Sequence, residues 1–105
     1  MRADIARARA LIDEDPAAPI TLGELAGASG LSRFQLVRAF GRSIGLTPHA
    51  YLVQRRTDLA RRLIAGGTKL AEVAAAAGFS DQSHMTRIFV ARYGLTPGTY
   101  AEAVR

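Results

Sequence analysis

Apolar residues recur every three or four positions along almost the whole chain, and no stretch sustains an alternation of period two, so the pattern predicts an all-α fold. Ile5, Ala8, Leu11 and Ile12 mark one face of a first helix, which stops in the breaker-rich loop DEDPAAP. Thr21 followed by Glu24 has the form of a capping box, in which each side chain satisfies an orphan amide near the other. It starts a short helix carrying Leu22, Leu25 and Ala26, which runs into Ala28-Ser29-Gly30, where glycine permits a sharp inter-helix turn. Ser32 with Gln35 reads as a second capping box, opening a helix over about 33–44 with Leu36, Ala39, Phe40 and Ser43 on one side and Gly45 at its end. Thr47-Pro48 is a cap followed by proline at the first helical position, where a missing amide costs nothing. From there a long helix runs to about Ala65 and ends in Gly66-Gly67.

The same grammar then restarts. KLAEVAAAAGFSDQSHMTRIFVARYGLTPGTY matches TLGELAGASGLSRFQLVRAFGRSIGLTPHAY at an offset of 48 as far as the glycine and 49 after it, so one residue has been added at the second turn. The alignment places Leu25 on Val73, Ala26 on Ala74, Gly30 on Gly78, Leu36 on Met85, Arg38 on Arg87, Phe40 on Phe89 and Tyr51 on Tyr100. Each unit has a small residue on the first helix's inner face and a glycine four positions on, the spacing of a helix-turn-helix. The chain therefore divides into a first unit at about 5–47, a connecting helix at about 48–65 and a second unit at about 68–105, all within one domain of 105 residues.

Composition narrows the function. Cysteine is absent, which excludes a disulfide framework, a thiolate metal site and a thiol nucleophile and favours a reducing cytoplasm. The apolar runs fall well below the roughly 20 residues that cross a bilayer. The start, MRADIARARALIDEDP, reads as a folded helix rather than a signal peptide, so a soluble protein is expected, with no membrane partner. The net charge of +5 comes from thirteen arginines and one lysine against nine acidic residues. Residues 1–32 sum to −2, residues 33–62 to +6 and residues 63–105 to +1, so the positive field sits mid-chain.

On the helix opened by Ser32 the side opposite the core presents Phe34, Val37, Arg38, Gly41 and Arg42. Phe34 packing on the first helix is the bland alternative. The functional one is that this face enters a major groove, where apolar groups touch thymine methyls and arginine grips guanine. The equivalent face of the second unit is Ser83, Thr86, Arg87, Val90 and Ala91, with Gln82 near its start and Asp81 as cap. Gln, Ser, Thr and Arg are side chains that bond base edges and phosphates. The connecting helix would span roughly 27 Å, against about 34 Å between successive grooves on one side of a duplex. One chain could thus place reading helices at about 33–44 and 82–93 in successive major grooves. Arg55, Arg56, Arg61 and Arg62 add charge between them, although a helix so rich in arginine also suits a solvated surface with Asp58 nearby, and at most one or two of the four are expected to touch phosphate.

Two rivals stand beside this reading. An enzyme would need converging groups, and His49 and His84 lie in separate units without a second ligand at metal spacing; no cofactor or metal is expected. A helical protein-interaction module without sequence-specific DNA binding is the other, separable by salt dependence.

GFSDQSHMTRIFVARYGLTPGTY, residues 78–100, resembles the signature of the AraC/XylS-type transcription regulators, and SGLSRFQLVRAFGRSIGLTPHAYL resembles the first half of their DNA-binding domain. The resemblance covers about residues 5–101. It implies seven helices in two helix-turn-helix units joined by a long helix, asymmetric promoter DNA as partner, and regulation of transcription. Bases would be read from positions matching Arg33, Phe34, Val37 and Arg38, and Gln82, Ser83, Thr86 and Arg87. Regulators of this type are expected to touch RNA polymerase as well. They usually carry an effector-binding or dimerisation domain, which would lie outside this chain; a stand-alone regulator and a fragment both stay open, with the family's habit favouring the fragment.

Overall fold

The computed structural model describes residues 2–105. Among them the chain forms seven α-helices and no strand: α1 (Ala3–Glu14), α2 (Leu22–Ser29), α3 (Arg33–Ile44), α4 (Pro48–Ala65), α5 (Leu70–Ala77), α6 (Gln82–Tyr93) and α7 (Pro97–Ala103). Backbone contacts divide the chain into two compact units, residues 1–55 and 56–105, so the division falls inside α4 rather than at its ends.

The first unit buries Ile5, Ala8 and Ile12 of α1 against Leu25 and Ala26 of α2, Leu36, Ala39 and Phe40 of α3, and Tyr51 and Leu52 of α4. Leu11 is only half-buried, at the edge of that core. The second unit lacks a counterpart of α1. Ala60 and Ile64 from the later half of α4 fill that place, packing with Val73, Ala74, Ala77, Phe79, Met85 and Phe89. Burying a phenylalanine such as Phe40 or Phe89 completely is worth about 1.5–3 kcal/mol, and both are fully enclosed.

The turn chemistry is repeated atom for atom. Gly30 and Gly78 take left-handed backbones with φ of 76° and 93°. The amide after each glycine then reaches back to the small residue of the preceding helix: Leu31 N–H to Ala26 O at 3.2 Å, and Phe79 N–H to Ala74 O at 2.9 Å. This satisfies carbonyls that a helix end otherwise leaves orphaned. The added residue of the second turn lies between that anchor and the next cap. Ser32 caps α3 two residues after Gly30, whereas Asp81 caps α6 three residues after Gly78, with Ser80 between.

Ser32 and Gln35 form the complete capping box, Gln35 N–H to Ser32 Oγ at 3.1 Å and Ser32 N–H to Gln35 Oε1 at 3.0 Å. At Thr21 only half of the expected box forms. Glu24 N–H donates to Thr21 Oγ1, but the Glu24 carboxylate accepts from the Thr21 hydroxyl instead of the Thr21 amide. Two inward placements also differ from the periodicity. Leu22 is 38% exposed in the first turn of α2, and Ser43 is exposed in the last turn of α3, where Ile44 rather than Ser43 packs against the core.

The two GLTP segments explain themselves in aromatic contacts. Thr47 and Thr96 cap the helices that follow, accepting from Ala50 N–H and Thr99 N–H at 3.1 Å each. Pro48 and Pro97 each open the next helix, setting Tyr51 and Tyr100 one turn in. Tyr51 meets Phe40 edge-on with ring centres 5.6 Å apart, and Tyr100 meets Phe89 at 5.8 Å. The heptad is repeated because in each unit it locks the start of the next helix onto the phenylalanine of the preceding one.

In each unit α4 is also held by a tyrosine–aspartate hydrogen bond among arginines. In the first, Tyr51 OH donates to Asp13 at 2.6 Å, Arg9 Nε donates to the Tyr51 oxygen at 3.2 Å, and Arg55 pairs with Asp13 at 3.2 Å. In the second, Tyr93 OH donates to Asp58, which Arg92 grips with two nitrogens at 3.0 and 3.3 Å. Partial burial, with the hydrogen bond to Asp13, raises the Tyr51 phenol above the ordinary tyrosine range.

Two outcomes follow for stability. Gly30→Ala meets no steric obstacle but must hold φ at 76°, so it should lose about 1–2 kcal/mol, seen in urea as a lower midpoint at unchanged slope. The raised Tyr51 pKa favours the protonated phenol in the folded chain. Its stabilisation is complete below about pH 10 and is lost as pH rises through the folded value. An ultraviolet titration should show a late phenolate component that Tyr51→Phe removes.

Candidate nucleic-acid interface

The capping box at Ser32 fixes where α3 begins, and burial of Leu36, Ala39 and Phe40 fixes its rotation. What remains outward is the face that sequence spacing singles out. Arg33, Phe34, Arg38 and Arg42 are exposed and Val37 is half-buried. Phe34 is 69% exposed, far beyond Leu22, Val90 and Val104, which lie between 38% and 42%. It therefore does not pack into the first helix as a core residue would. The Arg38 guanidinium sits over the Phe34 ring, 5.5 Å from its centre, an i, i+4 pair on the outer side of α3.

Arg33 bends back over α2: a Cβ placed on Gly23 would lie 2.9 Å from its Nη2. Val37 lies at the edge of a separate apolar cleft of about 210 Å³, shared with Ile20, Leu22, Leu25, Pro48 and Leu52. Phe34, Arg38 and Arg42 also border a shallow concavity of about 300 Å³ together with Arg2. Arg2 lies 36 positions away from Arg38 and has no place in the α3 spacing; the packing of α1 on α3 brings it there. It pairs with Asp4 at 2.7 Å.

In the second unit Asp81 caps α6, accepting from His84 N–H at 2.7 Å. Gln82, Ser83 and Arg87 are exposed, Thr86 is half-buried, and Val90 and Ala91 face outward one turn later. His84 is half-buried, edge-on to Phe79 at 5.6 Å with Nδ1 3.3 Å from Ser80 Oγ. The carboxylate of Asp81 thus serves the backbone and not the imidazole, so Ser83, His84 and Asp81 do not compose a triad. Among the described residues no three His, Asp or Glu side chains gather as a metal set, and no helix is long and apolar enough to cross a membrane.

The two faces differ in charge. Three arginines stand on or beside the α3 face, whereas α6 offers Arg87 alone: Ala91 occupies the slot of Arg42, and Arg92 is drawn to Asp58. The arginines of α4 are also largely engaged. Arg55 pairs with Asp13, and the Arg61 guanidinium lies 5.6 Å from the Tyr93 ring centre. Hydrogen bonds with Tyr93 and Tyr100 raise the pKa of Arg61, while burial lowers that of Arg56. Of the four, Arg62 is exposed and the others are half-buried. Sequence alone gives no means of telling these apart, since the partners lie dozens of residues away.

Comparison with known proteins finds the same fold. The model of the helix-turn-helix domain family matches residues 25–103. A probable transcriptional regulator of Photobacterium leiognathi, LumQ, is 38% identical over 87 residues, covering 82% of this chain and 35% of LumQ. The transcriptional activator NphR of a Rhodococcus species is 36% identical over 99 residues, covering 92% of this chain and 29% of NphR. The chain thus spans about a third of the length of these curated relatives. Among solved structures, a probable AraC family regulator from Rhodopseudomonas palustris superposes with a TM-score of 0.90 at 25% identity, covering 99% of both chains. The DNA-binding domain of AdpA, solved in complex with a target DNA, superposes at 0.92 with 26% identity, covering 99% of this chain and 95% of that one. With the family model matched from α2 through α7 and the duplicated turn present in both units, the chain belongs to the AraC-type helix-turn-helix family.

Proposed function

We propose that the chain binds double-stranded promoter DNA in a sequence-specific way and regulates transcription in the cytoplasm, with α3 and α6 as reading helices in successive major grooves. The observation that carries this is the duplicated helix that buries Leu36, Ala39 and Phe40 in one copy and Met85 and Phe89 in the other, while its outer side presents arginine, amide, hydroxyl and one bare phenylalanine. These groups match what base edges and phosphates offer. The likeness to the AdpA domain, solved with its target DNA, supports the same reading. Arg33, Phe34, Val37, Arg38 and Arg42 form the interface of the first unit, and Gln82, Ser83, Thr86 and Arg87 that of the second. Within α4, 18 residues long, Arg62 is the arginine best placed to meet phosphate, since Arg55 and Arg61 are occupied inside their own units. RNA polymerase is proposed as a second partner on the family habit of transcription regulators.

The test is duplex binding across a salt series, starting from oligonucleotides selected out of a random pool. Affinity should fall linearly in log–log form, by about 0.9 of a decade per decade of salt for each phosphate neutralised. Arg42→Ala should flatten that slope by about one phosphate, whereas Arg55→Ala should lower stability and leave the slope unchanged. Arg87→Ala should lose about 1–3 kcal/mol on the selected site and relax preference at one base pair, and Arg38→Ala should do the same roughly one turn away. Equal losses on every sequence would reassign either residue to phosphate. A chain that shows no preference for any duplex would remove the proposal in favour of a protein-interaction module.

A further inference from the structure

We infer that the α3 face reads a thymine stacked beside a guanine on one strand, Phe34 meeting the thymine C5-methyl group and Arg38 the guanine edge; the inference rests on the duplex-binding reading above. Two observations carry it. Phe34 is 69% exposed, and Arg38 is held against its ring at 5.5 Å. An aromatic ring left in water on a helix with an intact core gains only when a partner covers it. The guanidinium held over the ring loses part of its rotamer freedom, so the two side chains present themselves together.

The hydrogen-bonding character of the face then selects the bases. Arg33, Phe34, Val37, Arg38, Gly41 and Arg42 carry side-chain donors and apolar surface but no side-chain acceptor. Gln35, the nearest amide, already uses its oxygen on the Ser32 amide in the capping box. In the major groove adenine presents an N7 acceptor with an amino donor and cytosine an amino donor alone, whereas guanine presents two acceptors and thymine one acceptor and a methyl. A donor-only face leaves an amino group of adenine or cytosine without a partner, at the cost of its lost hydration. Guanine and thymine are the bases whose own groove edges it can satisfy completely. They are neighbours because the ring and the guanidinium are joined: adjacent base pairs are stacked about 3.4 Å apart, within the span of the 5.5 Å pair. Gly41, three residues past Arg38, leaves the space of its absent Cβ open for a base edge. The α6 face carries Gln82, Ser83 and Thr86, which both donate and accept, so the restriction belongs to the first unit alone.

The test uses the whole chain and a duplex selected from a random pool, with uracil replacing each thymine in turn. This removes the methyl and nothing else. One thymine in the half read by α3 should become about fourfold weaker as uracil, the worth of one methyl returned to water. The penalty should vanish in Phe34→Ala and persist in Phe34→Leu, which keeps an apolar contact. Replacing the adjoining guanine by 7-deazaguanine, which lacks one acceptor, should cost about tenfold in the natural chain and nothing further in Arg38→Ala. Uracil tolerated throughout that half would overturn the inference, as would a uracil penalty that survives Phe34→Ala or a sensitive guanine not next to the sensitive thymine. The uracil series on the natural chain decides the matter even where a variant folds poorly. A chain that selects no sequence at all would instead overturn duplex recognition itself, and this inference with it.

Discussion

Two buried phenylalanines hold the rest of the molecule in place. Phe40 and Phe89 sit at zero exposure on the inner sides of α3 and α6, each met by the tyrosine that the next GLTP segment delivers, Phe40 edge-on and Phe89 at a tilt. Edge-to-face aromatic pairs add about 0.5–1.5 kcal/mol beyond their burial. Their larger effect here is geometric. A helix whose phenylalanine is fixed against a ring from the following helix cannot roll, so the side chains on its far side point in a settled direction.

The charge of the chain divides by the same logic. Thirteen arginines suggest a uniformly basic surface, but several are structural. Arg9, Arg55 and Arg92 surround the Asp13 and Asp58 carboxylates, and Arg61 lies over the Tyr93 ring. Arg7 reaches the carbonyls of Ala28 and Ser29 at the first turn. Pairs this exposed contribute little each. Together with the two tyrosine hydrogen bonds they bind α4 to α1 in one unit and to α6 in the other. The exposed remainder is Arg2, paired with Asp4, together with Arg33, Arg38, Arg42, Arg62, Arg87 and Arg105, fewer than the composition implies and with three of them on α3.

Local chemistry was legible in the sequence wherever cause and effect lie within a few residues. The Ser32–Gln35 box, the Asp81 cap, the left-handed Gly30 and Gly78 and the Thr-Pro helix starts are all interactions across at most five positions, so residue types alone declare them. The repeat gave the inner faces, because two copies of one core must agree at Leu36 and Met85 and at Phe40 and Phe89. Periodicity failed at Ser43 and Leu22, since a helical wheel says which side of a helix a residue is on but not whether another element packs over it at that turn. Likewise Arg2 beside Arg38, or Asp13 between Tyr51 and Arg55, depends on tertiary packing across dozens of residues, for which spacing carries no signal.

A helix secured entirely by its rear surface leaves its front surface at liberty to drift. Substitutions at exposed positions such as Phe34, Arg38, Ser83 and Arg87 leave the buried side of the helix that bears them untouched, and changes of that kind usually alter stability by less than about 0.5 kcal/mol. Because the core is duplicated rather than shared, mutation can rewrite the lettering of one half while the other is preserved. Descendants of such a gene can acquire new addresses one groove at a time without ever passing through an unfolded ancestor.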